Sequence, residues 1–275
     1  MKIYISADIE GISGVTDIDH TRREGKDYDT ARMLMTKEVN AAVQGAFQGG
    51  ASEVVVNDSH GSMINLLTEE LDQRVSLISG FPKPLSMVQG IQGNDAAFFI
   101  GYHSKAGTED AVMDHTYHGR VVHTIRVNGM ELGELGINAA MAGHFGVPVA
   151  LVAGDKKTTQ EAKTLLNQVE VVVTKEGIGR FAARNVHPVA AREEIRKKAQ
   201  EAVQKAHQCN PYIVPPPLHL EMDVLFSDMA DRIAMIPSIE RVSGRCVAYD
   251  CEDFLTLYTM MRAMILIAST AIRKG

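Results

Sequence analysis

Ile3-Tyr4-Ile5-Ser6-Ala7-Asp8-Ile9-Glu10-Gly11 is the stretch that decides how the chain is read. Its apolar, β-branched start is short and suits a strand covered on both faces, and it ends abruptly in two carboxylates and a glycine. Downstream the rhythm continues. From Tyr28 to Gln48 the apolar positions Met35, Val39, Ala42, Val43, Ala46 and Phe47 recur at i, i+3, i+4 before Gly49-Gly50, which predicts a crossover helix with a glycine stop. Glu53 to Asn57 and Ala96 to Gly101 are two further buried strands, and Ser86 to Gln92 between them reads as helical. Strand, helix, strand in this order is the pattern of a parallel sheet with crossover helices.

Beyond residue 115 the pattern changes. Val121 to Val127 and Met130 to Leu132 flank Asn128-Gly129, the pair favoured in type I′ turns, so an antiparallel hairpin is inserted. Alternation then resumes with helices at Gly133 to Phe145 and Thr158 to Asn167 and strands at Val147 to Ala153 and Val169 to Thr174. A long amphipathic helix follows from Pro188 to Gln208. Asn210 to Pro217 holds four prolines in eight residues and reads as a linker. Leu218 to Phe226, Arg241 to Asp250 and the apolar helix Phe254 to Ile272 complete the chain. The expected fold is α/β and three-layered, with a mostly parallel sheet, an inserted antiparallel hairpin and a smaller C-terminal lobe. Residues 1–210 form the catalytic region and 211–275 the C-terminal lobe, separate from the first or intertwined with it.

Composition narrows the function. The 275 residues are 45% hydrophobic and 23% charged, values of a globular chain. Lys and Arg total 28 against 34 Asp and Glu, a net charge of -6, the wrong sign for a protein whose task is neutralising phosphates, so no nucleic-acid partner is expected. Three cysteines without a C-x-x-C pair signal neither a disulfide framework nor a thiolate zinc site. Asp8 interrupts the N-terminus before a signal-peptide core could form, and Arg262 interrupts the most apolar stretch, Phe254 to Thr270. A cytoplasmic protein with no membrane partner is the expectation.

Ligands of open α/β sheets bind beyond the carboxyl ends of the strands. There the first strand delivers Asp8 and Glu10, the second delivers His60 after Asn57-Asp58-Ser59, and the strand at 96 to 101 delivers His103 after Tyr102. Taken singly, Asp8 is a turn residue and each histidine a hydrogen-bonded structural one. Their joint placement at strands expected to be neighbours points to a metal site, and carboxylate with imidazole suits Zn²⁺, Mn²⁺ or Fe²⁺. Asp17-Ile18-Asp19-His20 sits in a polar run and reads as a solvated loop. Asp155 supports the site or caps a helix. His115, His118 and His123 cluster in the loop before the hairpin, where one of them could transfer a proton or stabilise an oxyanion. Glu134, at a helix start, reads as a partner of the helix dipole.

These residues resemble the zinc-dependent D-aminopeptidase family, also labelled dipeptide transport protein. The family pattern S-x-D-x-E-G stands as Ser6-Ala7-Asp8-Ile9-Glu10-Gly11, and the likeness continues through Asn57-Asp58-Ser59-His60, Ile78-Ser79-Gly80, Lys83-Pro84, Gly101-Tyr102-His103 and Gly133-Glu134-Leu135-Gly136. The resemblance implies two zinc ions per subunit, with Asp8, Glu10, His60, His103 and Glu134 as ligands and Asp8 bridging. It implies a catalytic histidine in an M-x-H element, matched by Met113-Asp114-His115. It also implies a homo-oligomer, a decamer of stacked rings with the active sites facing an inner chamber. The expected function is therefore a metallo-aminopeptidase releasing an N-terminal D-amino acid from short peptides. The alternatives are another dinuclear hydrolase acting on a different amide or a phosphate ester, and a non-enzymatic peptide-binding transport component. Phosphatase sites usually add cationic clamps, and near the motifs the sequence offers only Lys105 and Arg120.

Overall fold

The computed structural model describes residues 1–272. The chain opens with β1 (Lys2–Ala7), α1 (Tyr28–Gln48), β2 (Glu53–Asp58), β3 (Ser76–Ile78) and β4 (Ala96–Tyr102). β5 (Val122–Val127), β6 (Met130–Glu131), α2 (Glu134–His144), β7 (Val149–Asp155), α3 (Lys156–Leu165), β8 (Glu170–Gly179), β9 (Ala182–Asn185) and α4 (Pro188–Lys205) follow. The last part holds β10 (Leu218–Val224), α5 (Ser227–Ile233), β11 (Glu240–Arg241), β12 (Cys246–Cys251) and α6 (Phe254–Ser269).

The larger sheet has seven strands in the order β3-β2-β1-β4-β7-β8-β9, parallel except at the β8–β9 edge. β4 and β7 are buried along their whole length, as strands covered on both faces must be. Side chains alternate between two cores. Ile3, Ile5, Phe98 and Ile100 pack with Met35, Val39 and Val43 of α1 and Ile195 and Ala199 of α4. Tyr4, Phe99 and Tyr102 face the opposite core, built with α2, α6 and the second sheet. Covering both faces is what makes the molecule three-layered.

The Asn128-Gly129 turn forms as the sequence predicts, with φ of 51° and 78°. Its strands do not join the parallel sheet, however. β5 pairs with β10, Ile125 opposite Met222, and the hairpin becomes one edge of a five-stranded antiparallel sheet, β11-β12-β10-β5-β6. β10 alternates buried and half-buried residues, so Leu218, Leu220, Met222 and Val224 give the hairpin an apolar face to continue. A second difference lies at 86–92, where the expected helix is one 3-10 turn, Ser86–Val88. Ser86 and Gly90 both have positive φ, which stops propagation at either end. β3, β9, β11 and α5 were too short for periodicity to reveal. Among the described residues no helix is long and apolar enough to cross a membrane.

From β1 the chain winds outward to β2 and β3; from β4 it winds the other way to β7 and β8. The order therefore reverses between β1 and β4, and the crevice beyond their carboxyl ends is where such a sheet holds its ligand.

Candidate metal centre

Asp8 is the residue after β1, its N–H donating to Ile100 O of β4 at 2.8 Å. The chain then turns tightly against the neighbouring strand. A Cβ on Gly11 would lie 2.0 Å from Tyr102 O, and one on Gly101, where φ is +74°, would lie 2.1 Å from Asp8 O. Only glycine fits either position. The fully buried Lys175 of β8 reaches under the turn, its Nζ donating to Glu10 O at 2.5 Å and also to Val15 O. His60 lies two residues beyond β2, His103 follows β4 directly, and Glu134 opens α2.

The structure brings all five together. His60 Nδ1 is 3.3 Å from Asp8 Oδ1 and 3.0 Å from Glu10 Oε2. His103 Nε2 is 3.6 Å from Asp8 Oδ2 and 3.3 Å from Glu134 Oε1. Asp8 thus turns one oxygen to each histidine. Each ring uses its other nitrogen on a backbone carbonyl: His60 Nε2 donates to Thr21 O at 2.8 Å and His103 Nδ1 to Ser104 O at 2.9 Å. With that N–H fixed, the nitrogen facing the carboxylates is the one that gives up its proton to expose a lone pair when a metal binds, the arrangement by which proteins orient metal-binding imidazoles. Asp8 Oδ2, Glu10 Oε2 and His103 Nε2 are buried and make no hydrogen bond. Buried acceptors converging without a donor call for a cation, and the residues fit one.

The charges say the same. Burial and the neighbouring Glu10 push Asp8 up to about 7. Burial raises Glu10 too, but His60, His115 and His103 outweigh it and hold that carboxyl well below its usual range. Burial lowers both His60 and His103, and the surrounding carboxylates override it and raise them well above theirs. Without a metal, then, the cluster gathers protons onto its ligand atoms.

His115 lies on the loop between β4 and β5, 21% exposed, stacked on His103 with ring centroids 4.1 Å apart. Its Nδ1 donates to Met113 O at 2.8 Å and its Nε2 is 3.6 Å from Glu134 Oε1. His103, His115 and Glu134 offer donor atoms within 4.8 Å of one another, as do Asp8, Glu10 and His103. The loop is strained and pinned: Met113 and Tyr117 have φ of 49° and 56°, Asp114 pairs with Arg180 at 3.2 Å, and Tyr117 N–H donates to Glu134 Oε1 at 2.7 Å. Left-handed φ at non-glycine residues costs roughly 1–3 kcal/mol each and is sustained where a site needs the geometry.

Of the remaining candidates, His118 lines the cavities on both sides of His115, whereas His123 is exposed on β5 and lines neither. Asp155 caps α3 through Lys157 and Thr158 N–H and accepts from Ser104 Oγ at 2.9 Å, so it steadies the segment beside His103. Asp17 caps the short turn Ile18–His20. Lys105 pairs with Glu131 at 3.3 Å, and the cation in the cavity beside Asp8 and Glu134 is Arg262 of α6, which sequence reading treated only as an interruption of an apolar helix. With Ile265, Leu266 and Ser269 it makes an i, i+3, i+4, i+7 stripe, a spacing that could have exposed it.

A family model described as D-aminopeptidase matches residues 1–263. A D-aminopeptidase of Bacillus subtilis (strain 168) is 36% identical over 266 residues, 96% of either chain. The solved structure of the Zn-dependent D-aminopeptidase DppA from Bacillus subtilis, described as a self-compartmentalizing protease, superposes with a TM-score of 0.96 at 34% identity, covering 100% of both chains.

Proposed function

The chain belongs to the D-aminopeptidase family, and we propose that it removes N-terminal D-amino acids from short peptides at two zinc ions held by Asp8, Glu10, His60, His103 and Glu134. One observation carries the reading: donor atoms of two histidines and three carboxylates converge, and Asp8 Oδ2, Glu10 Oε2 and His103 Nε2 among them are buried without a hydrogen-bond partner. Asp8, with one oxygen toward each histidine, would be the ligand that the two ions share. Zinc, when bound, supplies the positive charge that polarises a scissile carbonyl and acidifies the attacking water.

The protein's own residues do the rest. Three carboxylates, Asp8, Glu10 and Glu134, would offset most of the charge of two zinc ions, so the centre would take the substrate's free α-amino group as the neutral amine, whose conjugate acid has a pKa of about 8. His115 keeps its Nδ1 proton on Met113 O, so Nε2 faces the site with a lone pair, ready to take a proton or, once charged, to donate to a developing oxyanion. Burial and the adjacent His103 lower its pKa, which keeps that lone pair free near neutrality. The strained, pinned loop holds the imidazole beside Glu134. The solved relative is described as self-compartmentalizing, which supports a closed homo-oligomer here; by the family resemblance it would be a decamer whose chamber admits short peptides and excludes folded proteins.

Hydrolysis of D- and L-alanyl p-nitroanilides, before and after chelation, tests the reading. The D substrate should be cleaved faster, activity should vanish with chelator, and added zinc should restore it. Hydrolysis insensitive to chelator, or a preference for L, would overturn it.

A further inference from the structure

The cavity beside Asp8, His60 and Glu134 has a volume of about 250 Å³, just below the ~300 Å³ at which drug-sized ligand pockets begin, and so suits a very small ligand. Its end at Asp8, His60 and Glu134, the metal centre, accounts for a substrate's α-amino group. On the wall contributed by α6 stands Arg262, half-buried. Among the described residues no carboxylate forms an ion pair with it; its guanidinium lies over the Tyr117 ring, 5.1 Å from the centroid. Tyr117 links the two ends, since its own N–H donates to Glu134 Oε1. A half-buried arginine steadied by an aromatic face, with its donors uncommitted, presents the planar fork that carboxylates bind in bidentate fashion.

We propose that Arg262 binds the C-terminal carboxylate of the peptide substrate, so that the enzyme measures its substrate from the α-amino group at the metal centre to the carboxylate at α6. This rests on the aminopeptidase reading above and deepens it: the site selects very short peptides with a free C-terminus. Ile265 and Leu266, on the same stripe of α6, give the C-terminal residue an apolar wall. The second cavity also has arginines, Arg22, Arg120 and Arg180, but all three are exposed to solvent, where a carboxylate gains little from them, and Arg180 is already paired with Asp114.

The test compares D-alanylglycine with D-alanylglycine amide in steady-state hydrolysis by the zinc-loaded protein. In parallel, calorimetry measures binding of the uncleavable reduced-bond analogue of each. The wild type should show a KM about tenfold or more lower for the free acid. R262Q should raise the KM for the acid by about 10- to 100-fold with little change in kcat, and leave the amide unaffected. R262K should fall between, and R120Q should keep the preference. A wild type indifferent to acid or amide, an R262Q that impairs both alike, or a preference lost in R120Q instead would overturn the proposal. If no peptide were hydrolysed the aminopeptidase reading would fall. The binding arm would still decide on Arg262, by whether the acid analogue outbinds the amide and R262Q removes the difference.

Discussion

Replacing Glu38 with glutamine should stabilise the protein, and only at higher pH. Glu38 lies on α1 beneath the turn that carries Glu10 and is 1% exposed. Its Oε1 accepts the Ser13 N–H at 2.9 Å, while Oε2 is buried without a partner. Burial lifts its pKa from 4.5 to about 7, against the opposing pull of the Ser13 N–H, Lys175 and Arg192. The folded protein therefore keeps a proton that the unfolded chain releases. For an acid raised in this way, the stability is fully present below about 4.5, falls as pH rises toward 7, and stays reduced above that. At about 1.4 kcal/mol per pH unit the interval amounts to about 3 kcal/mol. Glutamine keeps the carbonyl acceptor for Ser13 and never ionises. Urea unfolding of wild type and E38Q at matched zinc occupancy should give similar stabilities near pH 5, and by pH 8 the variant should lead by roughly 3 kcal/mol. Metal release at low pH affects both proteins alike and drops out of the difference. A difference that stays constant between pH 5 and pH 8 would refute the reasoning.

Lys175→Met should destabilise by ~2–5 kcal/mol in the same assay, because it strands the buried Glu10 and Val15 carbonyls at ~1–3 kcal/mol each; a loss under about 1 kcal/mol would show that the ammonium does not hold the turn. Metal analysis should find close to two zinc ions per chain in wild type and well below one in D8A and H103A. H115A should retain its zinc and lose about 10²–10⁴ in kcat, so loss of zinc from H115A would make that histidine a ligand.

How much of the site the sequence discloses follows from where each residue sits. Asp8, Glu10, His60 and His103 were legible together because parallel strands release their carboxyl ends at one edge, and the neighbourhood of β2, β1 and β4 is the simplest arrangement of three consecutive buried strands. Glu134 was not legible from its own surroundings. A helix start announces an acid through the dipole, whatever edge of the sheet it faces, and only the family resemblance singled this one out. His115 depends on Met113 and Tyr117 taking left-handed φ, and neither residue type signals that conformation. The second sheet was hidden for a different reason: β5 and β10 pair across almost a hundred residues, and alternation within a strand does not name its partner.

α6 carries a pattern that sequence alone assigns to more than one cause. Leu255, Leu257, Met260, Met261, Met264, Ile265, Leu266, Ile267 and Ala268 are apolar on more than one face, which sequence reading divides between burial in the subunit and an interface with another copy. One face is accounted for within the subunit: Leu257, Tyr258, Met261, Met264 and Ala268 are buried against α2, α5 and the second sheet. The adjoining stripe at 262, 265, 266 and 269 lines the cavity at the metal centre, with Leu266 still 48% exposed. A ligand wall and a subunit interface both require apolar surface that the monomer's own core leaves uncovered, so composition treats them alike. On the proposal made for Arg262, the arginine favours the ligand wall for its own stripe. In an interface core an unpaired guanidinium would carry a desolvation cost with nothing to offset it. On the wall of a cavity that opens at its far end onto the metal centre, it stands ready for the carboxylate end of a peptide held there by its amino end.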